Sequence, residues 1–141
     1  MYLVLGKRGY VANVFVKLLS LNYRFTSICR DDFNYYDCKL LANFIIENNI
    51  SLLINAAGFT GKPNVDACEK SKLNCLQGNT VLPRIIREVC EDLKIPWGHI
   101  SSGCIYSGRR VDGKGWTEED EPNFSFRHSV RPNLSGSSFQ L

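Results

Sequence analysis

The chain has 141 residues and 16.0 kDa, with 44% hydrophobic, 22% charged and 11% aromatic residues and a mean hydropathy of −0.16. That is the size and balance of one soluble globular domain, which excludes two independent catalytic domains, a disordered chain and a collagen-like one. The net charge is +3, and setting aside Arg127 and Arg131 leaves fifteen cations against fourteen acids, so a nucleic-acid-binding stripe is not expected. No apolar run approaches the roughly 20 residues of a membrane span, and Met1–Leu5 carries neither a basic leader nor a cleavage site, so the sequence reads as cytoplasmic with no membrane partner.

Short apolar strands alternate with helical periodicity, the pattern of βαβ units around a parallel sheet. Tyr2–Leu5 is a continuous apolar run, expected to be a strand buried on both faces. Val11, Val14, Phe15 and Leu18 follow at i, i+3, i+4 and i+7 and predict a helix with those four on its buried stripe. Phe25–Cys29 reads as a second strand and Asn34–Tyr36 as a short third one. Leu41, Phe44 and Ile45 mark a helix, and Ser51–Asn55 a buried strand running into Ala56-Ala57-Gly58.

Gly61, Pro63 and Asn64 make a loop and a helix start, and helical periodicity then continues through Leu93. Pro83 lies within it, which predicts a kink or a fresh helix start there. Trp97–Ser101 is the last predicted strand. Glycines at 103, 108, 113 and 115 then give a loop-like region, and from Ser125 to Leu141 no periodicity survives, so that tail is expected to be mobile. Six cysteines, at 29, 38, 68, 75, 90 and 104, never take Cys-x-x-Cys spacing. They read as reduced, mostly buried thiols, and no metal site is expected.

Gly6-Lys7-Arg8-Gly9-Tyr10-Val11-Ala12 lies where an apolar strand hands over to a helix, the geometry a diphosphate needs. Gly6 permits the tight turn, Gly9 lets backbone approach the anion, and Ala12 keeps helix and strand close. The helix N-terminus then offers free N–H groups and a favourable dipole. After the second strand, Arg30 can pair with a ribose 2′-phosphate and so favours NADP, whereas Asp31 and Asp32 beside it leave NAD open.

Ile54-Asn55-Ala56-Ala57-Gly58-Phe59-Thr60-Gly61-Lys62-Pro63-Asn64-Val65-Asp66-Ala67-Cys68-Glu69, Ser101-Ser102-Gly103-Cys104-Ile105-Tyr106 and Gly113–Phe124 together resemble the extended short-chain dehydrogenase/reductases. Within them the likeness is to the dTDP-4-dehydrorhamnose reductases and, more closely, to the nucleotide-sugar 3,5-epimerase/4-reductases of rhamnose synthesis. The resemblance runs from Met1 to about Phe124. It implies a doubly wound Rossmann-like α/β domain over residues 1–124, with strand order 3-2-1-4-5 and residues 125–141 as a tail.

By position it implies that Gly6, Lys7, Arg8, Gly9, Tyr10 and Val11 hold the pyrophosphate and Arg30 the 2′-phosphate. Asn55, Ala56, Ala57 and Gly58 would lie against the cofactor ribose, and Asn79 would brace the sheet and the site behind it. Ser102 would hydrogen-bond the keto oxygen, and Cys104 would serve as an acid/base at the sugar's C3 or C5. The implied reaction is NADPH-dependent reduction of a dTDP- or UDP-linked 4-keto-6-deoxy sugar.

These enzymes complete their site with Tyr-x-x-x-Lys after the Glu-rich loop, and no such pair follows Phe124 within these residues. Tyr35/Lys39 lies on the wrong side of the motif order and Tyr106/Arg110 lies in a loop, so both read as coincidences. The sequence therefore reads as a truncated member, inactive alone, with a homodimer or a partner subunit to cover its edge. The regulatory beta subunit of methionine adenosyltransferase offers a second resemblance, implying a noncatalytic role. His99 and His128 read as isolated, and Glu118–Glu121 as a solvated acidic run.

Overall fold

The computed structural model describes residues 1–101 and 105–123. Ser102, Cys104, His128 and the expected tail at 125–141 lie outside the described residues. The chain forms β1 (Tyr2–Leu5), α1 (Tyr10–Leu19), β2 (Phe25–Ile28), α2 (Cys38–Glu47) and β3 (Leu52–Asn55). A 3₁₀ turn (Val65–Lys70), α3 (Lys72–Leu76), a π turn (Gln77–Val81), α4 (Leu82–Asp92) and β4 (Trp97–His99) complete it. All strand pairs are parallel and the order is β2-β1-β3-β4. In register, Leu5 stands beside Ile28 and Asn55, and Asn55 beside His99, so these residues end their strands at one level.

The sheet is covered on one face by α2 and α4. Leu3, Leu5 and Leu53 meet Leu41 and Ile45 of α2 and Leu82, Ile86, Val89 and Cys90 of α4. On the other face Val4 packs against Ala12 and Leu19 of α1. α2 starts where Asp37 Oδ1 accepts from the Lys39 and Leu40 amides at 2.8 and 3.1 Å, satisfying two of the N–H groups a helix end leaves open. α4 continues directly from the π turn, Val81 and Leu82 both having helical backbone, and Pro83 lies in its first turn, at the helix irregularity. Five cysteines fall among the described residues; all are free thiols, and all but Cys38 are buried.

Two expectations are corrected. Asn34–Tyr36 is a turn, because the Asn34 side chain accepts from the Tyr36 amide at 3.2 Å and withdraws that N–H from any ladder. Tyr35 instead goes into the core between Phe33 and Tyr36. The sheet thus ends at β2, and of the expected order the third strand is missing. The predicted stripe of α1 is buried only at Phe15, half-buried against Val4, Ala12 and Leu19: Val11, Val14 and Leu18 are exposed, Leu18 at 58%, while Ala12 is fully buried and Leu19 nearly so. Seven of the ten α1 residues are aliphatic or Phe, so periodicity did not select a face. The close approach at the preceding turn did, since only Ala12 is small enough to lie on the sheet.

Candidate functional site: a crevice at the carboxyl ends of the strands

β1 leaves the sheet at Gly6, whose φ of +96° is open to glycine and strained for any other residue. A Cβ there would stand 2.8 Å from the carbonyl carbon and oxygen of Ala56 and the nitrogen of Ala57. The Ala56–Ala57 peptide therefore lies directly on Gly6. The turn is fastened by the Gly6 and Lys7 amides donating to Ile28 O at 3.0 and 3.1 Å and by the Gly9 amide donating to Gly6 O at 2.6 Å. Gly9 caps α1 without a side-chain bond, and no acid stands in the first helical turn. The first N–H groups of α1 are thus left to an anion from elsewhere.

A crevice of about 640 Å³ opens beside this turn, lined by residues 9–11, the run 56–61, Asn64, Cys68, Asn79, Ile100 and Ser101. Its volume falls in the range of small-molecule and cofactor sites, roughly 300–1,000 Å³. The far wall is set by Asn79, whose Oδ1 accepts from the Phe59 amide at 2.7 Å while its Nδ2 donates to Phe59 O at 3.0 Å. The π turn places it there. Gly78 makes room for the clamp, since a Cβ at 78 would meet Phe59 Cβ at 2.8 Å. The π turn is thus what carries Asn79 to Phe59.

Asn55 is fully buried at the end of β3. Its Oδ1 accepts from the Ala57 amide at 3.0 Å, and its Nδ2 stands 3.0 Å from Nδ1 of His99. An amide nitrogen can only donate, so His99 Nδ1 accepts and the ring proton sits on Nε2. Burial pushes the His99 pKa below its ordinary value, against a weaker opposing effect of the Asn55 backbone. Sequence reasoning missed this residue. Its register opposite Asn55 was the available signal, legible only once β3 and β4 are known to be neighbours.

At the end of β2, Asp32 Oδ2 accepts from the Cys29 amide at 2.7 Å, and that bond, with the accompanying side-chain contact, holds its carboxyl below the usual range. Asp31 pairs with Arg8 of the glycine turn across 2.5 Å. Both acids beside Arg30 are therefore engaged, and Arg30 forms no ion pair among the described residues. Lys7 and Arg8 also act on the Asp32 carboxyl, favouring its charged form.

Neither Tyr35 and Lys39 nor Tyr106 and Arg110 line the crevice. Tyr35 is core, its hydroxyl pKa pushed to about 12, chiefly by burial. The Tyr106 hydroxyl lies 2.8 and 2.7 Å from the carbonyls of Thr117 and Asp120, with its ring stacked on Trp116. Arg110 Nη1 bonds Asp120 Oδ2 at 2.9 Å. The acidic run is correspondingly not all solvated: Asp120 also takes the Thr117 amide and hydroxyl at 2.8 and 2.9 Å. No group of three or more His, Cys, Asp or Glu able to hold a metal occurs among the described residues.

A parallel sheet with helices on both faces, a glycine turn at the first strand end and a crevice across the next strand end define a doubly wound, Rossmann-like α/β domain. Residues 1–125 match the family model described as the RmlD substrate binding domain, and the chain belongs to that family. It is 30% identical over 131 residues to the bifunctional dTDP-4-dehydrorhamnose 3,5-epimerase/dTDP-4-dehydrorhamnose reductase of Arabidopsis thaliana, covering 88% of this chain and 42% of that protein.

Among solved structures it resembles the L780 UDP-rhamnose synthase of Acanthamoeba polyphaga mimivirus, with TM-score 0.75 and 23% identity over 87% of this chain and 45% of that one. The dTDP-4-dehydrorhamnose reductase of Bacillus anthracis in complex with NADP gives TM-score 0.75 and 17% identity, over 97% of this chain and 45% of that one. These two likenesses bear on the fold alone. The chain thus spans under half the length of the relatives it matches. No helix among the described residues is long and apolar enough to cross a membrane.

Proposed function

We propose that residues 1–124 form the NADPH-binding half of a reductase acting on a nucleotide-linked 4-keto-6-deoxy sugar in rhamnose-type sugar synthesis. The observation that carries this is the contact of Gly6 with the Ala56–Ala57 peptide: it opens a backbone-walled crevice onto the uncapped N-terminus of α1. A cofactor diphosphate fits there because Cβ atoms at Gly6 and Gly9 would fill the space or crowd the turn, Gly9 at 3.2 Å from Gly6 O. Gly6 through Val11 would hold the diphosphate and Asn55 through Gly58 the ribose, with Asn79 bracing the wall. The bound nicotinamide supplies a hydride.

Arg30 is left to select the 2′-phosphate, because Asp31 and Asp32 already have partners. Ser102 would orient the keto oxygen as charge develops on it. Cys104 would move a proton at C3 or C5, the step that adds 3,5-epimerisation to reduction. The sugar-linked substrate follows the activities of the relatives, which act on dTDP- and UDP-linked sugars. A charge-assisted pair of the Arg–phosphate kind contributes about 1.5–3 kcal/mol, a roughly 10- to 100-fold preference. Titration by nicotinamide fluorescence should find NADPH bound tighter than NADH by that order, with Arg30→Ala abolishing most of the difference. Equal affinities in the unaltered chain refute the assignment.

A further inference from the structure

The two hydrogen bonds of Asn55 reach in opposite directions, one to the amide of Ala57 inside the crevice wall and one to a ring nitrogen on the neighbouring strand. The first fixes the peptide that lies on Gly6. The second fixes Asn55 itself, because an amide side chain held at Nδ2 cannot exchange its two ends. His99 thus determines which atom Asn55 presents to Ala57, although His99 does not line the crevice. A phenyl or aliphatic side chain at 99 would leave a buried N–H without a partner, and a protonated imidazole would oppose a donor with a donor.

We propose that His99 is a positioning residue for the dinucleotide crevice: its neutral Nδ1 locks Asn55, and a proton at that atom releases the Ala56–Ala57 wall. The inference rests on the reading of the crevice as a dinucleotide site.

The surroundings of His99 leave this proton to act alone. β3 carries no ionisable side chain. On α4, the other element packed on β4, Arg84 pairs with Glu88 at 2.8 Å and Arg87 with Glu91 at 3.8 Å, and Asp92 is exposed. The remaining ionisable group of α4 is the buried Cys90 thiol, raised to about 11 by burial and so uncharged near neutrality.

The test compares the unaltered chain with His99→Asn, whose Oδ1 takes the place of Nδ1 as an acceptor and cannot titrate, and with His99→Leu, which has no acceptor. NADPH dissociation constants are measured from pH 7.5 to 5, with ligand-free hydrogen exchange at the Ala57 amide followed in parallel. The unaltered chain should lose about 3- to 10-fold in affinity on acidification relative to His99→Asn, the value of one net hydrogen bond. The cofactor's own phosphate titration is common to both and cancels.

His99→Leu should bind weakly across the range, with fast Ala57 exchange throughout. His99→Asn should restore both the affinity and the protection of the unaltered chain at pH 7.5. Should His99→Leu not fold, the comparison of the unaltered chain with His99→Asn decides. A pH profile of His99→Asn that matches the unaltered chain overturns the proposal, as does Ala57 protection that ignores pH. If no form binds NADPH while Ala57 protection still falls with acid in the unaltered chain only, the role of His99 stands and the dinucleotide reading fails.

Discussion

Replacing Gly6 by Ala tests the turn on which the crevice depends. The added methyl would sit 2.8 Å from three backbone atoms of Ala56 and Ala57 at a φ of +96°. None of those atoms is the end of a flexible side chain. The Ala56 amide donates to Leu5 O at 3.1 Å and the Ala57 amide to Asn55 Oδ1 at 3.0 Å, so the peptide cannot swing aside without breaking one of them. The left-handed conformation costs an L-residue about 1–2 kcal/mol, and overpacking a well-filled site costs about 1–3 kcal/mol more. The expected loss is therefore roughly 2–5 kcal/mol, a large part of the about 5–15 kcal/mol that holds a domain folded.

For a chain of this length each kcal/mol moves the melting midpoint by about 4 °C, so Gly6→Ala should melt roughly 8–20 °C lower. Urea unfolding followed by far-UV circular dichroism gives the free energy independently. Gly9→Ala is the control: its φ of −81° suits any residue and its methyl would meet one carbonyl at 3.2 Å. It should cost under about 1 kcal/mol of stability while still weakening NADPH binding. A Gly6→Ala chain within 1 kcal/mol of the unaltered one would refute the claim that the Ala56–Ala57 peptide is pressed onto this turn.

Incubated with NADPH and a dTDP- or UDP-4-keto-6-deoxyglucose, these 141 residues should oxidise nicotinamide about 10² to 10⁴-fold more slowly than a longer relative if the proton for the alkoxide is not supplied from within them. Comparable turnover, abolished by Ser102→Ala, would show that a residue within this chain donates it. Tyr10, Val14, Leu18 and Leu21 leave an apolar strip on the outer side of α1, so the chain should self-associate in sedimentation velocity, and Leu18→Glu should shift it toward monomer. A concentration-independent monomer before substitution contradicts that. The Asp120 carboxyl is held below its ordinary pKa, first by the Thr117 amide. Its stabilising effect is present above the unfolded-state value and is lost as pH falls through the folded one. The near-UV signal of Trp116 should therefore weaken at acid pH, and Asp120→Asn, which cannot ionise, should show the weakened signal already at neutral pH and lose that acid dependence.

How far the sequence reached depended on whether the deciding contact was local. The glycine turn was legible because a strand end, two glycines and Ala12 follow one another within seven residues, and Gly6, Gly9 and Ala12 form one tight turn into α1. The α2 and α4 faces were legible because their apolar residues leave a polar side. α1 offered no such contrast, and its orientation came from a close approach to a strand that periodicity does not encode. The third strand failed for a local reason, the Asn34 side chain competing for a ladder N–H. His99 was invisible for a non-local one, since its partner lies 44 residues away and becomes a neighbour only through sheet order. Asp120 looked like one member of an acidic run. Only the folding back of Arg110 and Tyr106 distinguishes it from Glu118, Glu119 and Glu121.

Among the described residues, the bonds that shape 105–123 close within that stretch: Ser107 exchanges two with the Asn123 side chain at 2.7 and 3.0 Å, the Trp116 indole donates to Gly108 O at 3.0 Å, and Tyr106 and Arg110 converge on Asp120. A segment that satisfies itself from partners no more than 16 residues away forms early and opens as one unit, without asking the sheet to unfold. Its amide protons should exchange together, at an opening free energy well below that of β1 and β3.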